Sequence, residues 1–286
     1  MRDSKFMNIC KKVFINFNEH DMDVYSGNAT LYLLMAMMPL TILFISMANW
    51  IPSFTEEEIS SLVMNFFPEI PWLQDVLQAT FHNLKGLSNG FIAFITALIC
   101  LYTASNGVSA IQRGLEEING NTSNQIQGKP KAIVFTLGLI LVVPGLILFQ
   151  LLRGPLINLG KDILTFFRLQ DVMRTFISIM RYSRIISILS AILFILLAYT
   201  ILPTKRKPFK EELPGTLFTV IVGGLFTLGF SLCLDTFWNV NSIYGSLASI
   251  FLLTLWLKFI IIIFFIGAEL NETLRLERIV KETVVE

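Results

Sequence analysis

The sequence predicts an all-α polytopic membrane protein: six transmembrane helices, both termini on the cytoplasmic side, and amphipathic interfacial helices in the first and middle outer loops. Three observations lead there. Charged residues are 15% of the 286-residue chain and apolar residues 54%, whereas soluble domains usually carry about 25% charge. The apolar residues gather into stretches at 28–50, 90–112, 132–152, 185–202, 216–235 and 245–268, most of them near the roughly 20 residues that cross a hydrocarbon core of about 30 Å. Basic residues outside these stretches divide unevenly. Fourteen fall on the side that holds both termini and seven on the other, and the richer side is expected to be cytoplasmic.

Taken in order, segment 1–27 is polar and charged and lacks the apolar core and small-residue cleavage site of a secretory signal. Insertion is therefore expected to use the first span. That span opens on Gly27-Asn28 and contains Pro39, which removes one helix hydrogen bond and bends the helix. The first outer loop is acidic, with Glu56, Glu57, Glu58, Glu69 and Asp75. Within it Pro71 opens a helical pattern (Leu73, Val76, Leu77, Phe81, Leu84 on one face) suited to the outer surface. The second span ends polar, with Ser105, Asn106, Ser109, Gln112 and Arg113, a pattern that fits a helix contact or a hydrated vestibule. The Asn-, Ser-, Gln- and Gly-rich stretch 120–131 reads as a connector. Pro144-Gly145 bends the third span as Pro39 bends the first.

The middle loop repeats the helical spacing with Phe166, Leu169, Met173, Phe176, Ile177 and Met180. Arg168, Arg174 and Arg181 lie on the other side. The plain reading is an interfacial helix docked on the bundle. The sharper one has its arginines holding anionic lipid headgroups, for which a planar guanidinium is suited. After the short fourth span come a basic turn, the fifth span and the sixth. In the fifth, Gly215, Thr219, Gly223, Thr227, Ser231 and Asp235 recur at every fourth residue. This row winds as a groove that is either a close helix contact or a polar path ending at Asp235. In the sixth, Lys258 lies about 10 residues from either end, where a lysine costs about 2.5–3.5 kcal/mol to insert. It either snorkels, lines a wet cavity or pairs with a carboxylate, and no carboxylate of another span stands obviously at its depth. Residues 269–286 read as a cytoplasmic tail. Glu269, at its start, is an interfacial charge that a Lys or Arg of an inner loop would hold. The domain division is thus 1–27, 28–268 and 269–286.

Catalytic and metal-ligating residues are not expected. Cys10, Cys100 and Cys233 are far apart in sequence without metal or redox spacing. His20 and His82 are the only histidines and would face opposite sides of the membrane, so metal-assisted hydrolysis has no cluster to work with. No Walker loop and no basic aromatic surface for RNA is present. No cofactor and no nucleic-acid partner are expected; membrane lipids are, while a homo-oligomer and unidentified protein partners stay open.

Within 202–274 the chain carries a basic turn bracketed by Pro203 and Pro208, a G-x-x-F entry at 215–218, a YGSLA turn containing Tyr244 and Gly245, a helix with Trp256, and a GAELN ending with Gly267 and Glu269. These features, with Gly27-Asn28 and Pro39, resemble the YihY/BrkB family of bacterial inner-membrane proteins, once labelled ribonuclease BN. The resemblance runs from about residue 18 to 274 and implies a multi-pass inner-membrane protein, often described as a transporter or virulence-associated factor with no agreed substrate. The family commonly carries an aromatic residue where this chain has Lys258, so Lys258 is not carried over as a family site. Two readings follow. The first is a transporter or translocator of an anionic envelope lipid or solute, its path lined by Lys258, Asp235, Ser231, Thr227, Thr219, Ser105, Asn106 and Asn28. The second is a non-transporting scaffold for envelope-assembly partners.

Overall fold

The computed structural model describes residues 2–48, 90–120, 129–138, 140, 183–205, 207–237 and 245–285. Every regular element among them is helical: α1 (Arg2–Glu19), α2 (Met22–Ala48), α3 (Gly90–Ile118), a stretch at 129–138, α4 (Ser183–Ile201), α5 (Phe209–Phe237) and α6 (Gly245–Val285). The expected helices of both outer loops lie outside the described residues, together with Arg168, Arg174, Arg181, Pro144 and Tyr244; of Asp235 only the backbone, near the end of α5, is described. Phe94–Ile118, Phe209–Cys233 and Ile250–Thr283 are long and apolar enough to cross a membrane, and Ile188–Ile201 is a shorter apolar helix.

Helix boundaries follow from local chemistry. α3 stops at Gly120, whose φ of 62° is the left-handed cap that glycine adopts freely. Its N–H bonds the Glu117 carbonyl at 2.9 Å. α1 and α2 are separated by a tight elbow at His20 and Asp21. Asp21 has a φ of 54°, a conformation Asp tolerates better than most residues, and its carbonyl accepts the Val24 N–H at 2.9 Å. α2 runs through Pro39 as one helix.

α2 packs along α3, α5 packs against α4 and α6, and α6 also touches α1, α2 and α3. Small residues permit this closeness. The space a side chain would need at Gly107 is filled by Leu33, and that at Gly114 by the ring of Phe265. The main core gathers Met22, Ala29, Val108, Leu115, Tyr199, Leu202 and Phe265. A smaller cluster of Ala36, Cys100, Ala104 and Ile140 lies further along α2 and α3. The other half of α5 is open among the described residues: Leu225, Leu228 and Leu232 are exposed, and no described residue lies within 4 Å of a Cβ built at Gly224 or Gly229.

Two features go beyond the sequence reading. Segment 1–27 holds an 18-residue helix, and 269–285 continues α6, which has 41 residues and is therefore about 60 Å long. The two pack together. His20 meets Glu269 at 2.6 Å and Lys12 meets Glu277 at 3.6 Å, eight residues earlier along the first partner and eight later along the second, so α1 runs antiparallel to the end of α6. Hydropathy marks the sixth span but neither of these two segments, which mix charged and apolar residues and pack on each other.

Candidate functional site

The polar groups converge where α5 begins, α3 ends and α6 passes both. Gly215 of α5 and Gly267 of α6 stand in direct backbone contact. A Cβ at Gly215 would meet the Gly267 carbonyl at 2.0 Å, and one at Gly267 would meet Thr219 Oγ1 at 2.1 Å and Tyr199 OH at 2.6 Å. Polar groups lock the crossing. Asn271 accepts the Gly215 N–H through Oδ1 at 2.6 Å and donates through Nδ2 to the Glu212 carbonyl at 3.1 Å and carboxylate at 2.7 Å. Tyr199 OH donates to the Phe264 carbonyl at 2.6 Å and lies 2.8 Å from Thr219 Oγ1. A phenol has one proton to give, so Thr219 is the donor of that second bond.

Charges beside the crossing are paired. Lys207 donates to Asn119 Oδ1 and to Glu272 Oε2, the latter at 2.6 Å, and lies 3.9 Å from Glu212. Arg275 grips Glu272 with Nε at 2.9 Å and Nη2 at 2.5 Å. Three side chains tie down the turn after α4. Gln112 donates to the Leu202 carbonyl at 2.8 Å, Lys131 donates to the Pro203 and Thr204 carbonyls at 3.1 Å, and Glu116 accepts from the Thr204 N–H and hydroxyl. The turn's backbone cannot bond itself because Pro203 and Pro208 prevent a continuous helix, so side chains satisfy it. Glu269 is fully buried. Its partner is His20, with Nδ1 at 2.6 Å, in place of the Lys or Arg of an inner loop that the sequence reading expected. The reason is the elbow, which swings His20 against α6.

Lys258 also has a partner that its position in sequence did not reveal. Its Nζ lies 2.9 Å from Asp23 Oδ1, with the two side chains 40% and 68% exposed. Glu269 is 11 residues further along α6, about 16 Å by helical rise, while His20 and Asp23 are close neighbours around the elbow. The start of α2 therefore lies alongside this stretch of α6, which brings a carboxylate to a lysine that seemed to have none at its depth.

The remaining predicted residues scatter. Thr219 belongs to the α5–α6 lock. Thr227 is on the open half of α5, donating to the Gly223 carbonyl at 2.8 Å and accepting from the Trp256 indole at 3.3 Å. Ser231 and Asn28 are exposed. Ser105 is buried and donates back to the Tyr102 carbonyl at 2.8 Å, and Asn106 is half-buried. Gly245 starts α6. The every-fourth row of α5 is thus a lock at one end and an open surface along the other. Glu212, Asn271, Tyr199, Lys207, His20 and Asp23 escaped sequence reading. The signal for some of them was present: Lys207 sits between two prolines, and Asn271 closes the GAELN segment.

A family model described as virulence factor BrkB matches residues 13–284. The chain is 23% identical over 274 residues to a ribonuclease-like protein, YfkH, of Bacillus subtilis, covering 94% of this chain and 95% of that one. It is 25% identical over 270 residues to the membrane protein YihY of Escherichia coli, covering 92% and 87%. A 91-residue stretch is 36% identical to a membrane protein of Pseudoalteromonas translucida, 32% of this chain and 30% of that one. No solved structure matches.

Proposed function

This chain belongs to the virulence factor BrkB family of membrane proteins, and on that premise we propose that it is a multi-pass translocator of an anionic envelope lipid or solute in the bacterial cytoplasmic membrane. Six spans with both termini inside complete the reading, supported by the basic-residue bias and by the packing of α1 on the end of α6. Lys258 is the observation that carries it. A cation in the middle of an apolar helix is costly unless it serves a path or a partner, and this one is partly accessible and held by an accessible carboxylate. The polar lock of α5 on α6 gives the bundle a fixed base, and the open half of α5, with Thr227 and Ser231, leaves a flank at which a headgroup can approach.

Reconstitution tests this. Vesicles holding the protein should move fluorescent phosphatidylglycerol between leaflets, or take up an anionic solute, faster than empty vesicles, and Lys258→Met should abolish the gain. No transport by wild type under either format would sink the reading in favour of the scaffold. That second reading draws on the apolar residues exposed on α1 and on the end of α6 (Met7, Phe14, Ile279 and Val280). The proposal excludes nuclease chemistry. The ribonuclease-like name belongs to a relative, and metal-assisted hydrolysis draws on clustered histidines and carboxylates, for which a chain with only two histidines is a poor source. Purified protein should leave RNA intact. Cleavage that survives several purification steps and disappears with His20→Gln would count against this.

A further inference from the structure

Lys258 has a feature that its position alone does not explain: its partner is not buried. Asp23 is 68% exposed and Lys258 40% exposed, at 2.9 Å. Two other carboxylates of α6 are held more closely. Glu272 is enclosed by Lys207 and Arg275, and Glu269 is fully buried against His20. Among the described residues Asp23 is the one carboxylate within ion-pair distance of Lys258. From Phe259 to Ala268 the helix carries no charge at all, so nothing else on that stretch of α6 competes for the ammonium.

We infer that Asp23 is an internal stand-in for the ligand: its carboxylate occupies the place on Lys258 that a phosphate-bearing anion takes, and it must swing away for that anion to bind. The inference rests on the reading of Lys258 as an anion contact and names the chemistry of what it contacts. The resting pair is net neutral, which lowers the cost of holding an ammonium at this position. Exchange keeps that neutrality, because one anion replaces another on the same cation. Asp23 can leave without disturbing the packing of the bundle, because most of its side chain lies outside it. A ligand without net negative charge gains nothing from the exchange, since it would leave Asp23 unpaired and bring no net charge in return. The arrangement therefore favours anionic over zwitterionic headgroups, and Asp23 sets how strongly an anion must bind to enter.

The probe is spin-labelled phosphatidylglycerol in phosphatidylcholine nanodiscs carrying the full chain, with spin-labelled phosphatidylcholine as the reference. The readout is the motionally restricted fraction. Asp23→Asn should raise the apparent affinity for phosphatidylglycerol by about fivefold, the size of effect an accessible ion pair supports. Lys258→Met should remove the preference for phosphatidylglycerol, and the double variant should match Lys258→Met alone, because the effect of Asp23 exists only through Lys258. Asp23→Ser, which removes the charge with a different shape, should reproduce Asp23→Asn and covers the case in which that variant does not assemble. Added inorganic phosphate separates the two sources of the anion. Displacement of the labelled lipid at millimolar phosphate identifies a soluble-anion site, and none identifies a headgroup site. Unchanged or weakened binding in both Asp23 variants overturns the inference, as does a gain that persists in the double variant, which would mark a general surface-charge effect. Binding as predicted without leaflet exchange would leave this site standing while removing the translocator reading.

Discussion

Replacing Gly267 by alanine tests the claim that backbone contact between α5 and α6 anchors the bundle. The new Cβ would lie 2.1 Å from Thr219 Oγ1, 2.6 Å from Tyr199 OH and 2.8 Å from the Gly215 carbonyl. The hydroxyls can turn aside only by giving up the 2.8 Å bond between them, and the carbonyl can retreat only if the helices separate. Overpacking of a close contact costs about 1–3 kcal/mol, and a lost hydrogen bond adds about 0.5–1.5 kcal/mol. The expected destabilisation is therefore about 1.5–4.5 kcal/mol. Unfolding of the purified protein by sodium dodecyl sulfate, followed by circular dichroism, would measure it, with Gly229→Ala as the control because no described residue lies within 4 Å of that position. Thr219→Ala in the Gly267→Ala background should recover part of the loss by removing the nearest obstruction. A cost below about 0.5 kcal/mol, or one equal to that of Gly229→Ala, would refute the reasoning, since surface changes commonly fall in that range.

Lys207→Met should destabilise by about 3 kcal/mol in the same titration, the low end for stripping a cation from buried carboxylates, because Arg275 still holds Glu272 while Glu212 loses its ion-pair partner. Asn271→Leu should cost about 2–4 kcal/mol, because it abandons the buried Gly215 N–H and the Glu212 carboxylate together. Asn271→Asp should be little better, since it restores the acceptor and sets a second charge beside Glu212. A double-mutant cycle on His20→Gln and Glu269→Gln should show coupling of at least about 0.5 kcal/mol, and strict additivity would mean the 2.6 Å contact contributes nothing. A membrane-impermeant thiol reagent on intact cells should miss the exposed Cys10 and label single cysteines placed at Ser88 or Asn241. The reverse pattern would invert the topology.

The amino-acid sequence by itself determined the class of the protein. Span length, the scarcity of charge and the division of basic residues are properties of a chain partitioning between water and hydrocarbon, and hydropathy reads them directly. It also marked Gly215, Gly267 and the GAELN ending as distinctive, without saying what they do. Their role appears only once α5 crosses α6. Two glycines far apart in sequence become one contact, and Asn271 becomes the group that satisfies Gly215. Periodicity showed the row from Gly215 to Ser231 as one groove suited to a close helix contact, but helical spacing says which residues share a face and nothing about how tightly a neighbour covers each of them. Thr219 meets Tyr199 in the buried lock, whereas Thr227 touches only Trp256 of α6 from an exposed position and Ser231 is exposed. The pairings of His20 with Glu269 and Asp23 with Lys258 were beyond any local signal. Each joins residues more than two hundred positions apart through an elbow at Asp21, and only the packing of α1 and α2 against α6 decides which charge finds which.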